Sequence, residues 1–292
     1  MEEKDWIILK TLYEERNITK AAERLYISQP ALTYRLQQLE KEFETKIVLR
    51  GKKGVEFTPE GEYLVEYANQ MISKLRNVKE YIANMNNKVK GTLRLGVSGI
   101  YARYKLPIIL KKFLSHYPNV DINLKTGWSV EIPPMLHKEE VHLGIVRGNY
   151  DWQGQKYLLH KETICIAAKE ELVLEELPML PRINYETDIT LKTLIDHWWQ
   201  KTFSHPPTIT MEVDQMDTCK AMVRNGLGYA ILPGICLLDE DDFFTMPIRS
   251  ADGTPLTRDT WLLYRDTSLE LTFVKSFIEF LLSESQSNSR GD

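Results

Sequence analysis

With 292 residues, 43% of them hydrophobic and 27% charged, the chain is long enough for two domains and too apolar for a disordered protein. It contains no apolar run near the ~18 residues that a membrane-spanning helix needs, and MEEKDWIILK has acids where a secretory signal needs bases. The sequence therefore predicts a cytoplasmic protein with no membrane partner. A formal charge of −4 at pH 7 speaks against a uniformly basic nucleic-acid binder, yet distribution matters more than the total.

Between Arg16 and Lys53, nine basic residues stand against four acids. In the same region Trp6, Leu9, Leu12 and Tyr13 mark one face of a first helix. Thr19 is placed to cap a second helix, in which Ala22 and Leu25 continue the apolar stripe. YIS interrupts the pattern, Ser28 caps a third helix, and Pro30 falls in a first turn whose N–H groups have no intrahelical partner. Ala31, Leu32, Leu36 and Leu39 define its core face, opposite Gln29, Thr33, Arg35 and Gln37. KIVLR and VEFT follow as short strands joined by the basic turn GKKG. Three helices and a basic hairpin describe a winged helix-turn-helix.

Thr58-Pro59-Glu60 supplies a hydroxyl cap, a proline at the first helical position and an acid in the first turn. From there Leu64, Ala68, Met71, Leu75, Val78, Ile82, Met85 and Val89 alternate spacings of four and three, the seam of a helix that pairs with a second copy of itself. NMNNKVKG closes it as a polar linker.

After Gly91 strands and helices alternate. TLRLGV, VDINLKTGW, VHLGIV, TICIAA, TITMEV, LGYAILP and TWLLYR read as strands. Helices run through Leu106–Phe113, around Met135, and along LKTLIDHWWQKTF and DTCKAMVRNG, with a closing helix bearing Phe273, Phe277 and Phe280. The pattern predicts a largely parallel sheet covered by helices, and two similar α/β lobes joined by crossing strands, with a ligand cleft at the carboxyl ends of parallel strands. The tail SESQSNSRGD is expected to be disordered.

TKAAERLYISQPALTYRLQQLE, LRGKKGVEFTPEG, GTLRLGV and VRNGLGYAILPG, in that order, give the chain a resemblance to the LysR-type transcriptional regulators. The resemblance implies a helix-rich winged helix-turn-helix over 1–58, with the helix-turn-helix at 18–40, and a dimerising linker helix over 59–90. It implies an α/β, two-lobed effector-binding domain over 91–292 that is similar to periplasmic binding proteins, lobe I being 91–164 with 265–292 and lobe II being 165–264. It also implies homotetramers built from dimers, double-stranded promoter DNA and a small-molecule effector as partners, and no cofactor. Two departures stand out. Tyr34 replaces the long polar residue common in the family, and Gln37 and Gln38 replace basic ones, which shifts phosphate contact toward the wing.

Gln29 is the leading candidate for base readout, since its amide can pair twice with adenine. Pro30 and Thr33 offer apolar contact to a thymine methyl, while Ser28, Tyr34, Arg35, Arg50, Lys52 and Lys53 suit phosphates. For the effector, the resemblance points to Ser98, Gly99, Tyr101, Trp128, Ser129, Arg147 and Tyr185, and to Arg258 ahead of TWLLYR. Two arginines facing one cleft favour an anionic di- or tricarboxylate through bidentate pairing. Cys165, Cys219 and Cys236 read as buried thiols, Trp198-Trp199 as packing, and the scattered histidines complete no metal set. No nucleophile arrangement, phosphate loop or dinucleotide fingerprint is present, so no catalytic residue is expected. The alternatives are a transport solute-binding protein or an enzyme on the same two-lobed fold.

Overall fold

The computed structural model describes residues 1–51, 54–84, 89–237 and 243–288, with backbone alone at residue 50 and residues 286–288. It divides into two units, Met1–Asn86 and Asn87–Asp292.

In the first unit α1 (Glu3–Glu15), α2 (Ile18–Arg24) and α3 (Gln29–Glu42) precede the antiparallel hairpin β1 (Val48–Gly51) and β2 (Gly54–Phe57), and α4 (Pro59–Asn84) follows. Leu9 and Leu12 of α1 meet Leu32, Leu36 and Leu39 of α3 in one core, with Ala21 and Ala22 of α2 packed into it. Ala31 stays exposed, outside the face assigned to it. Ser28 caps α3 as its sequence position implies, its Oγ accepting the Ala31 N–H at 3.3 Å. The cap of α2 is Asn17 instead of Thr19: its side chain accepts the Lys20 N–H at 3.1 Å. Burial of Ile18 within the helix moves the start two residues earlier.

α4 is not one continuous seam. Leu64 and Ala68 are buried in the core of their own unit, while Val78 and Ile82 farther along are 54% and 59% exposed. Gly61 lets this helix lie on the hairpin, since a Cβ there would come within 2.1 Å of the Ile47 carbonyl oxygen. Met85, the next seam position, lies outside the described residues. Val89 lies beyond the helix and packs on the core of the second unit.

The second unit contains β3 (Gly91–Ser98), α5 (Gly99–Tyr104), α6 (Leu106–His116), β4 (Val120–Gly127), α7 (Ile132–His137), β5 (Leu143–Arg147) and β6 (Gln155–Ala168). Then come β7 (Pro181–Tyr185), α8 (Ile189–Thr202), β8 (Thr208–Val213), α9 (Met216–Arg224), β9 (Ala230–Pro233), β10 (Phe244–Pro247), β11 (Thr257–Tyr264) and α10 (Thr272–Asn288). Among the described strands, β3 pairs parallel with β4 and β5, and β7 with β8; one isolated parallel bridge joins Arg182 and Tyr229. Pairing of β6 with β9, β10 and β11, and of β11 with β5, is antiparallel, so the sheet is mixed where a largely parallel one was expected. The cause is the long strand β6, which runs through the first lobe and on into the second, and β11, which returns beside it. Residues 260–264 consequently pair with β5 of the first lobe, inside the span that the sequence assigned to lobe II.

Phe273, Phe277 and Leu281 of α10 are buried against the core formed by Leu93, Leu95 and Phe113. The helix continues to Asn288, so the expected disordered tail is helical over residues 283–288. Trp198 and Trp199 are buried in the second lobe, as packing residues. Cys219 and Cys236 are buried, and burial pushes each thiol up to about 12, whereas Cys165 is only half-buried.

Candidate DNA-reading face and ligand cavity

Because Leu32, Leu36 and Leu39 turn inward, the opposite face of α3 is presented to solvent at its N-terminal end. Ser28, Gln29, Pro30 and Tyr34 are exposed and Thr33 is half-buried. The Gln29 side chain makes no hydrogen bond to another described residue, which leaves its amide open. Just before this end, Tyr26 is 96% exposed and adopts the left-handed backbone region at φ 56°, an unusual state for a bulky side chain. Only the break at YIS hinted at it.

Arg35 departs from its expected role as a phosphate contact. Its guanidinium is held in a bidentate pair with Asp5 of α1, which is fully buried. Burial pushes the Asp5 carboxyl up, but the hydrogen bonds from Arg35 and from the Glu2 N–H outweigh it and hold the group below its ordinary range. At the other end of α3, Glu40 accepts the Ile47 N–H at 3.1 Å and pairs with Lys46 at 2.8 Å, tying the helix to the hairpin. Of the wing residues, Lys52, Lys53 and the Arg50 side chain lie outside the described residues.

In the second unit, Ser98, Gly99, Trp128, Ser129, Arg147 and Arg258 line one cavity of about 350 Å³. Tyr185 lines an adjoining cavity of about 530 Å³, which shares Trp128, Glu186, Thr187 and Asp214 with the first. Tyr101 lines neither: it is 4% exposed and packs in the core, its hydroxyl titrating far above its ordinary value through burial. One residue earlier, Ile100 takes the lining position, because the helical turn of α5 rotates Tyr101 inward.

Arg147 ends β5 and Arg258 begins the return strand, so both reach the same cavity. They do not reach it as uncompensated cations. Arg147 Nη2 donates to Glu162, whose other oxygen accepts the Ile235 N–H at 2.8 Å. Arg258 Nη2 donates to Asp188, and to the Arg147 carbonyl at 3.3 Å. Both arginines at this cavity are thus already paired with an acid. Asp188 is also the cap of α8, accepting the Thr190 and Leu191 N–H groups at 3.1 Å each. Burial raises its carboxyl, yet the Arg258 charge and these hydrogen bonds prevail and keep it below the ordinary range. Burial, aided by the Arg147 charge, lowers Arg258.

Each arginine spends only one nitrogen on these partners. Nε and Nη1 of both find no acceptor among the described residues, and both Nε atoms are buried and unsatisfied. Such orphaned donors carry a desolvation cost that a ligand oxygen or water removes. Among the lining residues, Arg103 of α5 pairs with Asp217 of α9 at 2.7 Å, and the Tyr104 hydroxyl donates to the same carboxylate at 2.6 Å. Among the described residues no group of three His, Cys, Asp or Glu side chains is positioned to hold a metal, and no helix is long and apolar enough to cross a membrane.

The LysR substrate binding domain family matches residues 86–286, and the bacterial regulatory helix-turn-helix protein, lysR family, matches residues 4–62. The chain belongs to the LysR family of transcriptional regulators. This LysR regulator is 47% identical over 284 residues to the uncharacterized HTH-type transcriptional regulator YraN of Bacillus subtilis (strain 168), covering 97% of this chain and 98% of that one. It is 41% identical over 282 residues to YkuM of the same organism, with 94% of each chain covered. Among solved structures the fold is similar to that of CbnR, a LysR family transcriptional regulator, at a TM-score of 0.72 and 18% identity over 98% of this chain and 99% of that one. Full-length CbnR complexed with target DNA gives the same TM-score, 0.72, at 19% identity, over 98% of this chain and all of that one. The LysR regulator therefore combines a DNA-binding helix-turn-helix with an effector-binding domain. Both families and these relatives are regulators and not enzymes, so the enzyme and solute-binding alternatives fall away.

Sequence reasoning passed over Asp5, Glu162 and Asp188. The partner of each is distant in sequence: Asp5 is 30 residues from Arg35, Glu162 is 15 from Arg147 and Asp188 is 70 from Arg258. The one local signal was Asp188 directly before ITLKTLIDHWW, a helix cap.

Proposed function

We propose that this LysR regulator, working in the cytoplasm, reads promoter DNA sequence-specifically through the head of α3, with Gln29 on base edges and Pro30 and Thr33 beside it. The observation that carries this reading is the division of α3: Leu32, Leu36 and Leu39 are buried inside the unit and Arg35 is paired with Asp5, while Ser28, Gln29, Pro30 and Tyr34 stay open. Ser28, Tyr34 and the wing residues Arg50, Lys52 and Lys53 supply phosphate contacts, which set register without reading sequence. The exposed Val78 and Ile82 of α4 provide the surface for a homodimer, and pairs of dimers form the homotetramer. Two reading heads then face two half-sites of an interrupted palindrome.

The effector occupies the cavity lined by Ser98, Gly99, Trp128, Ser129, Arg147 and Arg258, with Tyr185 in the adjoining space. Its acidic group meets the open Nε and Nη1 donors of the two arginines. Since each arginine is already balanced by its own acid, one acidic group fits this end better than the two or three of a di- or tricarboxylate. Binding across the Arg103–Asp217 contact alters lobe closure and hence how the dimers sit on DNA. The test is a gel-shift titration of wild type and Gln29→Ala on a promoter fragment and on random DNA. Loss confined to the promoter fragment supports base reading; equal loss on both refutes it.

A further inference from the structure

The arginine end is only half of the cavity's chemistry. Glu186 and Asp214 line both cavities where they join, and both are exposed. Neither carboxylate has an ion-pair or hydrogen-bond partner among the described residues. All three arginines lining the smaller cavity are matched by acids, Arg147 by Glu162, Arg258 by Asp188 and Arg103 by Asp217. Two uncompensated carboxylates thus remain where the cavities join, while the Nε atoms of Arg147 and Arg258, residues only 1% and 4% exposed, remain without acceptors.

The excess of acid continues outward. The larger cavity sets Arg182 and Lys192 against Glu186, Asp196, Glu212 and Asp214. Trp128, 47% exposed and shared by both cavities, adds an aromatic surface suited to a cation. A ligand oxygen is therefore favoured at one end and a positive charge at the other. A second carboxylate would be driven against Glu186 and Asp214, in a cleft whose walls strengthen that repulsion beyond its value in water.

We propose that the effector is a zwitterion, a small molecule with one carboxylate and one ammonium group, its carboxylate at Arg147 and Arg258 and its ammonium between Glu186 and Asp214. This rests on the reading of the cavity as the effector site.

Four probes of one chain length isolate the end groups: 4-aminobutanoate, butanoate, succinate and 1,4-diaminobutane. Thermal shift and calorimetry on the full-length protein with these probes and the twenty amino acids test the proposal. The expected result is binding by one or more zwitterions at least about tenfold tighter than by the dicarboxylate of matched length, with Asp214→Asn and Glu186→Gln each removing most of that preference. Both residues are exposed, so neither substitution threatens folding. Tighter binding by succinate than by every zwitterion, or no zwitterion binding, overturns the proposal. Gly99→Leu separates the two levels, because a Cβ at Gly99 meets nothing nearer than the Gly127 carbonyl at 4.0 Å and the longer side chain fills the cavity. Unchanged binding in that variant would show that the ligand site lies elsewhere. If Gly99→Leu abolishes binding of a favoured dicarboxylate, the cavity reading stands and the zwitterion falls.

Discussion

Arg35 grips Asp5 through both carboxylate oxygens, Nε to Oδ1 at 2.5 Å and Nη2 to Oδ2 at 2.7 Å, so the reading helix is tied to α1 by charge as well as by packing. The pair is lopsided: the Asp5 side chain is fully buried and that of Arg35 is 39% exposed. Arg35→Ala strands a buried carboxylate and should cost about 3–5 kcal/mol. Asp5→Ala leaves a guanidinium that can turn to water, and should cost about 1–2 kcal/mol. Urea unfolding of the two variants measures the difference, and equal costs would contradict this account.

The same pair sets an acid limit. A carboxyl held below its ordinary range contributes stability that is complete above the unfolded value of about 3.9 and is lost as pH falls through the folded value. Glu40, also held low by Lys46 and backbone donors against the upward push of burial, acts in the same direction. The first unit should hold a constant melting temperature from pH 7 to about 5 and lose it below about pH 4. Asp5→Asn should flatten part of that acid limb. A wild-type curve already falling between pH 7 and 5 would place the titration on other groups.

In the effector domain Asp188 has two duties, neutralising Arg258 and capping α8. Asp188→Ala leaves a buried guanidinium without its acid and should cost about 3–5 kcal/mol. Adding Arg258→Met removes the stranded charge, so the double variant should recover part of the loss. The cap remains missing, at about 1 kcal/mol. Denaturant midpoints of the double-mutant cycle decide: strictly additive losses would mean that the two side chains do not interact.

On DNA, Gln29→Ala should cost about 1–3 kcal/mol on the cognate site and little on random sequence. Tyr34→Arg puts a charge on the open face of α3. It should strengthen binding to random DNA and steepen the dependence of log K on log salt by about 0.9. A slope left unchanged would mean that position 34 does not meet phosphate.

Elements with a local signal were legible in the sequence, and features requiring long-range pairing were not. Ser28, Pro30 and the spacing of Leu32, Leu36 and Leu39 fix α3 within one stretch of chain, and there the structure agrees. Thr19 misled because burial of Ile18 decides where α2 begins. The heptad pattern of α4 was real, but a stripe of apolar residues does not say whether its partner is another chain or, as at Leu64 and Ala68, the same domain. β6 and β11 carried strand patterns without any mark of their antiparallel pairing. At the cavity, the family resemblance pointed to Ser98, Gly99, Trp128, Ser129, Arg147 and Arg258, and these six line one cavity. It could not reveal that Glu162 and Asp188 balance the arginines, since those contacts exist only after folding.

β6 gives residues 155–163 to pairing with β11 and residues 164–168 to β9 and β10. The lobes thus share a backbone segment in place of a simple tether. Chimeras that exchange one lobe between relatives would have to be cut inside two paired strands. Ligand preference should therefore transplant cleanly only with the whole of residues 87–292.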